Sequence, residues 1–441
     1  MRGRTLRRGK DGYEEARCAA VWNALTPQRF PDLIVLAEAE EDLVEAIRLA
    51  REEGMKVGVR SGGHSWAGNH LRDGGMLLDL SRLDSIAVDA AAMSAAVGPG
   101  CRGDRALAAL AEQDLFFPAG HCEGVALGGY LLQGGFGWNG RVHGPACMSV
   151  TAIDVVTAAG ELVRADEGSH PDLFWAARGS GPGFFGAVAR FHLRLQPRPR
   201  HVANGVHLYP LDVLEEVFRW AHEVGPRVPR TVELMVIVHR DLEGEPEIAV
   251  TAPALVDSAA EAAEALAILD TCPVRERAKM VVPNVEVGLP DLFAAVHESY
   301  PDGHRYAVDN MWTHAPIEEL LPGLRRIAAT LPAAPSHMLW MNWGPSPPRP
   351  EMAYSVEDET YIALYGVWSD PADDDANVAW ATERMAEMAP LASGIQLADE
   401  NLGRRPARFV SEENLARLDR IRAEYDPDGL FHAWMGRPGR G

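Results

Sequence analysis

Cysteine is scarce in this sequence of 441 residues, which has five: Cys18, Cys101, Cys122, Cys147 and Cys272. No two of them form a CxxC pair, and their odd number argues against both a disulfide framework and a zinc site. The sequence also contains no Asn-x-Ser/Thr sequon and no HExxH motif. These absences indicate reduced thiols and no metal centre, and we expect a cytoplasmic location.

Long apolar runs and an excess of positive charge are missing as well. No stretch approaches 18 consecutive apolar residues, so we expect no membrane span. The N-terminal segment MRGRTLRRGK is basic, but no apolar run follows it as in a secretory signal. Lys and Arg total 42 against 63 Asp and Glu, a net charge of −21. Such a charge repels nucleic acid and anionic membranes, so we expect neither as a partner.

The sequence has the composition of a soluble enzyme, with 47% hydrophobic and 24% charged residues. Its length suits two domains. Residues 31–65 predict a β-α-β unit, since a short apolar run precedes a helical pattern and the strand KVGVR. The prolines of QPRPRH (196–201) predict a boundary, after which strands and helices alternate. We therefore predict an α+β fold of two domains, the second an antiparallel sheet with helices on one face.

Two glycine-rich segments are candidates for binding a ligand. GGFGWNG (134–140) contains a GxGxxG pattern, but the residues before it look helical and Asp154 follows too early for a dinucleotide fingerprint. A glycine-rich turn over a flat group is the preferred interpretation. In RSGGHS, Gly62 and Gly63 suit a cradle for a phosphate or pyrophosphate, and Arg60 could add charge. No GxSxG elbow supports a serine hydrolase, and the acidic run 357–359 is typical of a solvated face.

His64 and Cys122 are the two nucleophilic side chains that lie beside these glycines. Taken alone, a loop histidine is more often structural, and a single cysteine is more often an inert buried thiol. Both lie in the same predicted module, however, and no triad or metal-ligand spacing competes with them. We therefore treat them as candidates for attachment of a cofactor.

Four blocks of sequence together resemble one family. VRSGGHSWAGNHLRDGGMLLDLSRL, GHCEGVALGGYLLQGGFGWNGRVHG, DLFWAARGSGPGFFGAVARFHLRL and YDPDGLF occur in this order. The sequence thereby resembles the berberine-bridge-enzyme-like FAD-linked oxidases of the vanillyl-alcohol-oxidase superfamily, which have a PCMH-type FAD-binding domain. The resemblance is close over the first 200 residues and looser over the last 40. It implies an FAD-binding domain at 1–199, a substrate-binding domain at 200–400 and a C-terminal segment, 401–441, that returns to the FAD-binding domain.

The resemblance also implies a covalent flavin. The histidine of the GGHS block, here His64, is bonded in that family to the 8α-methyl group of the flavin. A subset has a second bond from a cysteine to C6, within C-x-x-V-x-x-G-G, and Cys122 and Val125 fit that pattern with a glycine pair. This sequence has Glu123 and Gly124 where the family commonly has proline and a small residue. His121 could help to deprotonate the thiol, or it could be an exposed loop residue.

The remaining contacts to FAD are implied by the same blocks. The residue at the position of Val125 is proposed to gate oxygen in the family, and one of this size is associated with oxidases. The cofactor-binding residues that we expect are His64, Cys122, Arg60, Ser61, Gly62, Gly63, Ser65, Val125, Gly128, Gly129, Gly134, Gly135, Ile153 and Val155.

The sequence departs from the family at the catalytic base. Relatives that oxidise sugars or aromatic alcohols use a tyrosine in a YYGxNYxRL motif near the C-terminus. This chain reads RFVSEENLARL (408–418): Asn414 and Arg417 match, but Phe409 and Val410 stand where the tyrosines are expected, and Met148 replaces an aspartate found in many relatives. The substrate could also be an amine that needs no base. The candidate catalytic residues on predicted strands are Tyr306, Asn342 and Tyr365, with Asn310 and His314 as weaker candidates; Trp312, Trp340 and Trp343 could form an aromatic wall or pack the core.

The function that we predict is that of an FAD-dependent oxidase. It would transfer a hydride from an alcohol, an amine or a secondary-metabolite intermediate to covalent flavin, and O2 would reoxidise the flavin with release of H2O2. A flavin dehydrogenase with another acceptor and a degenerate flavin-binding protein remain alternatives. The expected partners are a small-molecule substrate and O2, and the chain is expected to be a monomer or homodimer.

Overall fold

A computed structural model of the chain describes residues 3–344 and 346–437. The strands up to residue 197 form what we call the first module. They are β1 Arg4–Arg7, β2 Leu33–Leu36, β3 Val57–Arg60, β4 Met76–Asp79, β5 Ile86–Asp89, β6 Ser94–Val97, β7 Leu115–Phe116, β8 Val150–Val156, β9 Leu162–Ala165, β10 Ala187–Arg194 and β11 Gln196–Pro197. The helices of this module are α1 Tyr13–Ala19, α2 Glu40–Glu52, α3 Gly103–Ala111, α4 Leu127–Leu132, α5 Gly140–His143 and α6 Pro171–Ala177.

The strands from residue 201 onward form the second module. They are β12 His201–Pro210, β13 Met235–Arg240, β14 Pro246–Thr251, β15 Ala254–Val256, β16 Met280–Glu286, β17 Arg305–Thr313, β18 His337–Asn342 and β19 Thr360–Trp368. The helices that follow α6 in the chain are α7 Leu214–Val224, α8 Ala259–Leu266, α9 Leu289–Ser299, α10 Ile317–Ala329, α11 Asp374–Met388 and α12 Glu412–Tyr425.

The first module contains two main sheets. One has the order β1-β2-β4-β3, in which β4 pairs in parallel with both β2 and β3. Helix α2 crosses from β2 to β3 and buries the apolar face predicted from its spacing, including Leu43 and Ile47. Gly54 ends this crossover at a φ of 66°, which favours glycine. The other sheet is antiparallel, with the order β5-β6-β10-β8-β9.

The C-terminal segment packs back onto the first module. Helix α12 packs beside α6, and the indole of Trp434 donates a hydrogen bond to the carbonyl of Ser180 at 2.8 Å. Phe431 forms a β-bridge with Val57 in β3. The end of the chain therefore shares the hydrophobic core of its first 197 residues.

The second module is an antiparallel sheet of eight strands within the described residues. Its order is β15-β12-β14-β13-β18-β19-β17, and β16 pairs with β12. Helices α7, α10 and α11 cover one face, toward which β19 directs Ile362 and Leu364. The alternate residues, Tyr361, Ala363 and Tyr365, belong to a separate cluster on the other face. The predicted α+β class and the antiparallel sheet with helices on one face are thus confirmed.

Some elements were not predicted from the sequence. Among them, β1 and β5 have only four residues, and β16 is almost entirely exposed at the edge of the sheet and contains Pro283. Strands β1 and β16 lack a regular alternation of buried and exposed residues, and the alternation of β5 extends over only four residues, so a sequence pattern reveals them poorly.

Candidate functional site

A cavity of about 660 Å³ lies between the two modules. The first module contributes the loop after β3, the turn before α4 and one side of α4. The second module contributes the face of its sheet opposite the helices, and helix α9. The volume lies within the range of ~300–1,000 Å³ typical of ligand sites.

His64 lies in the loop that follows β3. Its ring stacks on Trp22, with centroids 5.0 Å apart and an interplanar angle of 19°. Gly63 has a φ of 77°, and a methyl group on Gly62 would lie 2.8 Å from the Cβ of Ala126, so glycine lets this loop pack directly on the turn before α4. Burial, followed by the charge of Arg60, lowers the pKa of His64 to about 4. The imidazole is therefore neutral at pH 7 and available as a nucleophile.

Cys122 lines the same cavity from the turn before α4. A methyl group on Gly124, two residues later, would lie only 3.0 Å from Nε2 of His64, so the two nucleophiles belong to touching segments. Burial raises the pKa of the Cys122 thiol to about 12, and the charge of Asp399 adds to the effect. The thiol is therefore protonated near pH 7 in the protein alone.

His121 is hydrogen bonded to the second module. Its Nε2 lies 2.8 Å from Oε2 of the buried Glu233, and its ring packs edge-on against Trp138 with centroids 4.4 Å apart. The other oxygen of Glu233 accepts a hydrogen bond from the backbone N–H of Asn139 at 2.7 Å. His121 thus joins the modules, and neither of the two interpretations made from its sequence position describes this role.

The cavity has the properties that a large flat cofactor with polar groups needs. A methyl group on Gly129 would meet no atom within 4 Å, so this glycine leaves one wall open. Oδ1 of Asn69, Nε2 of His70 and Nε1 of Trp138 are buried without a hydrogen-bond partner in the described part of the chain, and all three residues line the cavity. These unpaired atoms and the two nucleophiles fit FAD, whose rings and phosphates offer complementary groups.

A cluster of phenols and one carboxylate lies at the end of the cavity formed by the second module. Oδ2 of Asp399 accepts a hydrogen bond from the hydroxyl of Tyr365 at 2.8 Å and another from the hydroxyl of Tyr361. Oδ1 of Asp399 accepts the indole N–H of Trp66 at 2.6 Å. Tyr300 packs edge-on against Tyr365, with ring centroids 5.0 Å apart.

Most of the cofactor residues expected from the sequence line this cavity. The guanidinium of Arg60 also binds both oxygens of Asp79, each at 3.0 Å, which fixes the end of β3. The predicted residues that line the cavity are His64, Cys122, Arg60, Ser61, Gly62, Gly63, Ser65, Val125, Gly128, Gly129 and Tyr365.

Six predicted site residues do not line the cavity: Gly134, Gly135, Ile153, Val155, Tyr306 and Asn342. The backbone of the two glycines pairs with Ala146 and Cys147, and the two β8 residues are fully buried in the core of the antiparallel sheet. The hydroxyl of Tyr306 donates to the carbonyl of Pro301 at 2.5 Å. Asn342 belongs to the helix-covered face of the sheet, where it donates to the carbonyl of Ala221 at 2.9 Å.

The weaker candidates of the second module take different positions. His314 is exposed and contacts Asp358 at 2.5 Å, while Asn310 is fully buried beneath the loop that carries Asp399. Trp312 and Trp343 line the cavity. Trp340 lies on the other face and packs against Phe218, so only part of the expected aromatic wall is present.

The segment that lacks the family tyrosine lies away from the cavity. Phe409 and Val410 are both buried, and the ring of Phe409 packs on Trp434 with centroids 5.0 Å apart. The phenols hydrogen bonded to Asp399 come instead from β19, and Tyr300 packs beside them. Tyr361 could have been found in the sequence, since residues 361 and 365 of a strand share a face. Asp399 could not, because its loop has no periodic pattern.

Comparisons with known proteins identify the family of the chain. The family model described as "FAD binding domain" matches residues 31–166. The FAD-linked oxidoreductase nodO of Hypoxylon pulicicidum is 32% identical over 437 residues, covering 94% of this chain and 93% of nodO. The chain belongs to the FAD-linked oxidoreductases. This family membership makes it an oxidoreductase and supports FAD as the cofactor of the cavity.

Solved structures share the fold of this FAD-linked oxidoreductase. The 6-hydroxy-D-nicotine oxidase of Arthrobacter nicotinovorans superposes with a TM-score of 0.87 at 23% identity, covering 99% of this chain and 98% of that one. The BBE-like 1 protein of Physcomitrella patens superposes with a TM-score of 0.85 at 19% identity, with the same coverage. In residues 3–344 and 346–437, no helix has the length and apolar character needed to cross a membrane.

Proposed function

We propose that this FAD-linked oxidoreductase is an oxidase whose FAD is bonded covalently to His64 and Cys122. The observation that carries the proposal is that both nucleophiles open onto one cavity, from touching segments, beside a glycine wall. When bound there, FAD supplies the acceptor for a hydride from a small organic substrate, and O2 is the final oxidant that yields H2O2. The similarity to proteins named oxidases supports the same conclusion.

Different residues of the chain would form the covalent bonds to FAD and hold its phosphates and ring system. His64 offers a neutral imidazole, whereas Cys122 must lose its proton before it can form a second bond. The backbone around Gly62 and Gly63 would hold the phosphates, and that of Gly128 and Gly129 would approach the ring system. We propose that residues 1–199 and 401–441 form the FAD-binding domain and that residues 200–400 form the substrate-binding domain.

The proposed partners are a small-molecule substrate and O2. Free Cys18, Cys101, Cys122, Cys147 and Cys272 support a cytoplasmic location. We keep a monomer or homodimer as the proposed state of assembly.

The reaction with oxygen can be tested without knowing the substrate. The purified protein is reduced with dithionite under argon, the excess is removed, and the flavin spectrum is followed after mixing with air. An oxidase is expected to reoxidise completely and to release about one H2O2 per flavin. Val125→Leu, which enlarges the side chain at the proposed oxygen gate, is expected to slow reoxidation at least about tenfold with unchanged flavin content.

Two results would contradict the oxidase. Reduced flavin that persists in air but is reoxidised by dichlorophenolindophenol would identify a dehydrogenase. A colourless purified protein would contradict the proposal of a flavoenzyme altogether.

A further inference from the structure

We propose that Asp399 is the proton acceptor of the reaction, and that the substrate is an alcohol whose hydroxyl proton reaches Asp399 through the phenol of Tyr361 or Tyr365. The inference rests on the proposed function, because the bound FAD must accept the hydrogen from carbon. It deepens that function by naming the class of substrate and the catalytic base.

Neutral donors surround the carboxylate of Asp399. Its three hydrogen bonds come from the indole of Trp66 and from the hydroxyls of Tyr361 and Tyr365. Within the described residues, no Arg, Lys or His forms an ion pair with it. These donors orient the carboxylate toward the phenols, and none of them carries a positive charge. Asp399 is only partly buried, and it lines the cavity.

The backbone of Asp399 is held rigidly. The amide of the fully buried Asn310 donates to the carbonyl of Asp399 at 2.7 Å and to that of Gln396 at 3.0 Å. The N–H of Gln396 donates back to Oδ1 of Asn310 at 2.7 Å. Because Asn310 lies within β17, the loop is fixed to the sheet, as a general base requires.

Asp399 also contacts the first module. Trp66, which donates to its carboxylate, follows His64 by two residues in the same loop. The charge of Asp399 is one of the causes of the raised pKa of Cys122. The carboxylate is therefore hydrogen bonded to the loop that carries His64, and it lines the same cavity as Cys122.

The phenols of Tyr361 and Tyr365 are suited to relay a proton to Asp399 and not to accept one as phenolates. Burial and the charge of Asp399 raise the pKa values of Tyr361 and Tyr365 well above the ordinary value. A phenol that remains neutral can accept the substrate proton only while it passes its own proton to the carboxylate. The proton therefore ends on Asp399.

The neighbouring histidine is not a rival base. Nδ1 of His337 lies 3.0 Å from the carbonyl of Pro335, and its Nε2 lies 3.1 Å from the hydroxyl of Tyr300. With Nδ1 donating to the carbonyl, Nε2 accepts from Tyr300, and both nitrogens are occupied. Burial lowers the pKa of His337 to about 4, consistent with this neutral form.

The balanced step is the oxidation of a carbinol to a carbonyl. The substrate O–H bond breaks, and its proton moves through a phenol to Asp399. The C–H bond on the same carbon breaks, and its hydrogen leaves with the bonding pair to bound FAD, which is reduced by two electrons. Phe136, Met235, Leu339, Trp312 and Trp343 line the cavity, so the body of the alcohol is expected to be apolar.

The experiment follows flavin reduction by stopped flow under argon. Benzyl alcohol, cyclohexanol and octanol are compared with benzylamine, cyclohexylamine and octylamine. The variants are Asp399→Asn, Asp399→Glu and the double change Tyr361→Phe with Tyr365→Phe. The matched control is Asp374→Asn, because Asp374 also accepts an indole N–H, from Trp368 at 2.7 Å, but does not line the cavity.

We expect an alcohol to reduce the flavin of the wild type and of Asp374→Asn. Asp399→Asn should lower the limiting rate by at least ~100-fold, the usual contribution of a general base. The alcohol concentration at half-maximal rate and the flavin content should change little, and Asp399→Glu should recover part of the rate. The double phenylalanine variant should also be slow.

Three outcomes would overturn the inference. They are an Asp399→Asn variant as fast as the wild type, reduction by the amines but by none of the alcohols, and a flavin that dithionite reduces but no alcohol does. Each leaves a coloured flavoprotein, so each is distinguishable from failure of the proposed function, which is marked by a colourless protein.

Discussion

At the residue scale, the site depends on side chains whose protonation is set by burial. His64 is neutral because desolvation disfavours the imidazolium, and Cys122 is neutral because desolvation disfavours the thiolate. Desolvation therefore keeps His64 in its nucleophilic form, the neutral imidazole, and keeps Cys122 in its less nucleophilic form, the thiol. We expect the bond at His64 to form more readily than the bond at Cys122.

Asp309 and Arg405 form a second buried arrangement, behind the catalytic face. Asp309 is fully buried, and Nε of Arg405 donates to its two oxygens at 3.0 and 2.9 Å. Arg405→Met should lower the free energy of unfolding by ~3–5 kcal/mol at pH 8, because it leaves a buried carboxylate unpaired. Arg437→Met removes a more exposed pair with Asp419, at 2.9 Å, and should cost ~0–1 kcal/mol.

The loss in Arg405→Met should depend on pH. Burial raises the pKa of Asp309 even with Arg405 present, and the variant should raise it further. A carboxyl whose folded pKa is raised is stabilised when protonated, so the defect should shrink as pH falls through that pKa. Denaturant unfolding at pH 8 and pH 5 measures it, and equal losses for both arginine variants would contradict the account.

At the element scale, periodicity predicted much of the architecture. Strands β17, β18 and β19 are buried on both faces for most of their length, so TYIALYGVW is a nearly continuous apolar run that could be read as a buried strand directly from the sequence. The spacing of Leu43, Ala46, Ile47 and Ala50 likewise predicted α2. The two patterns differ because β19 is buried on both faces of the sheet, whereas α2 buries only one face against an apolar layer.

Residues outside regular elements were harder to predict. Asp399 lies in a short loop whose conformation depends on Asn310, 89 positions earlier in the chain. The orientation of Asn342 depended on which face of β18 the helices cover. Ile153 and Val155 were expected from the resemblance to contact FAD. They lie on β8, however, and it is the neighbouring strand β10 that lines the cavity. Tertiary packing, which a local sequence pattern does not reveal, determines the position of each of these residues relative to the cavity.

Two glycines that line the cavity, Gly62 and Gly129, give a prediction about stability and flavin content. Gly62→Ala places a methyl group 2.8 Å from the Cβ and 2.9 Å from the backbone N of Ala126. It should destabilise the fold by ~1–3 kcal/mol through overpacking. Gly129→Ala meets no protein atom within 4 Å and lies in α4, where alanine is favoured over glycine by up to ~1 kcal/mol.

Gly129→Ala should therefore fold at least as stably as the wild type without FAD but contain less flavin, since its methyl group enters the cavity. Thermal unfolding and the ratio of flavin to protein absorbance separate the two effects. Full flavin content in Gly129→Ala would show that this wall does not contact the cofactor.

At the scale of the whole molecule, the site exists only where distant parts of the chain meet. Trp66 and Asp399, which are hydrogen bonded, are separated by 333 positions. His121 and Glu233 join the two modules on another side of the cavity. A ligand in the cavity would contact both modules and should therefore stabilise the molecule as a whole.

The central claim is that one FAD is bonded to this chain through His64 and Cys122. Intact-mass spectrometry of acid-denatured protein tests it most directly, on the wild type, His64→Ala, Cys122→Ala and the double variant. We predict that the wild type and each single variant retain the mass of one FAD, with an altered flavin spectrum in each single variant, and that the double variant releases it. A wild-type chain of unmodified mass would contradict the account.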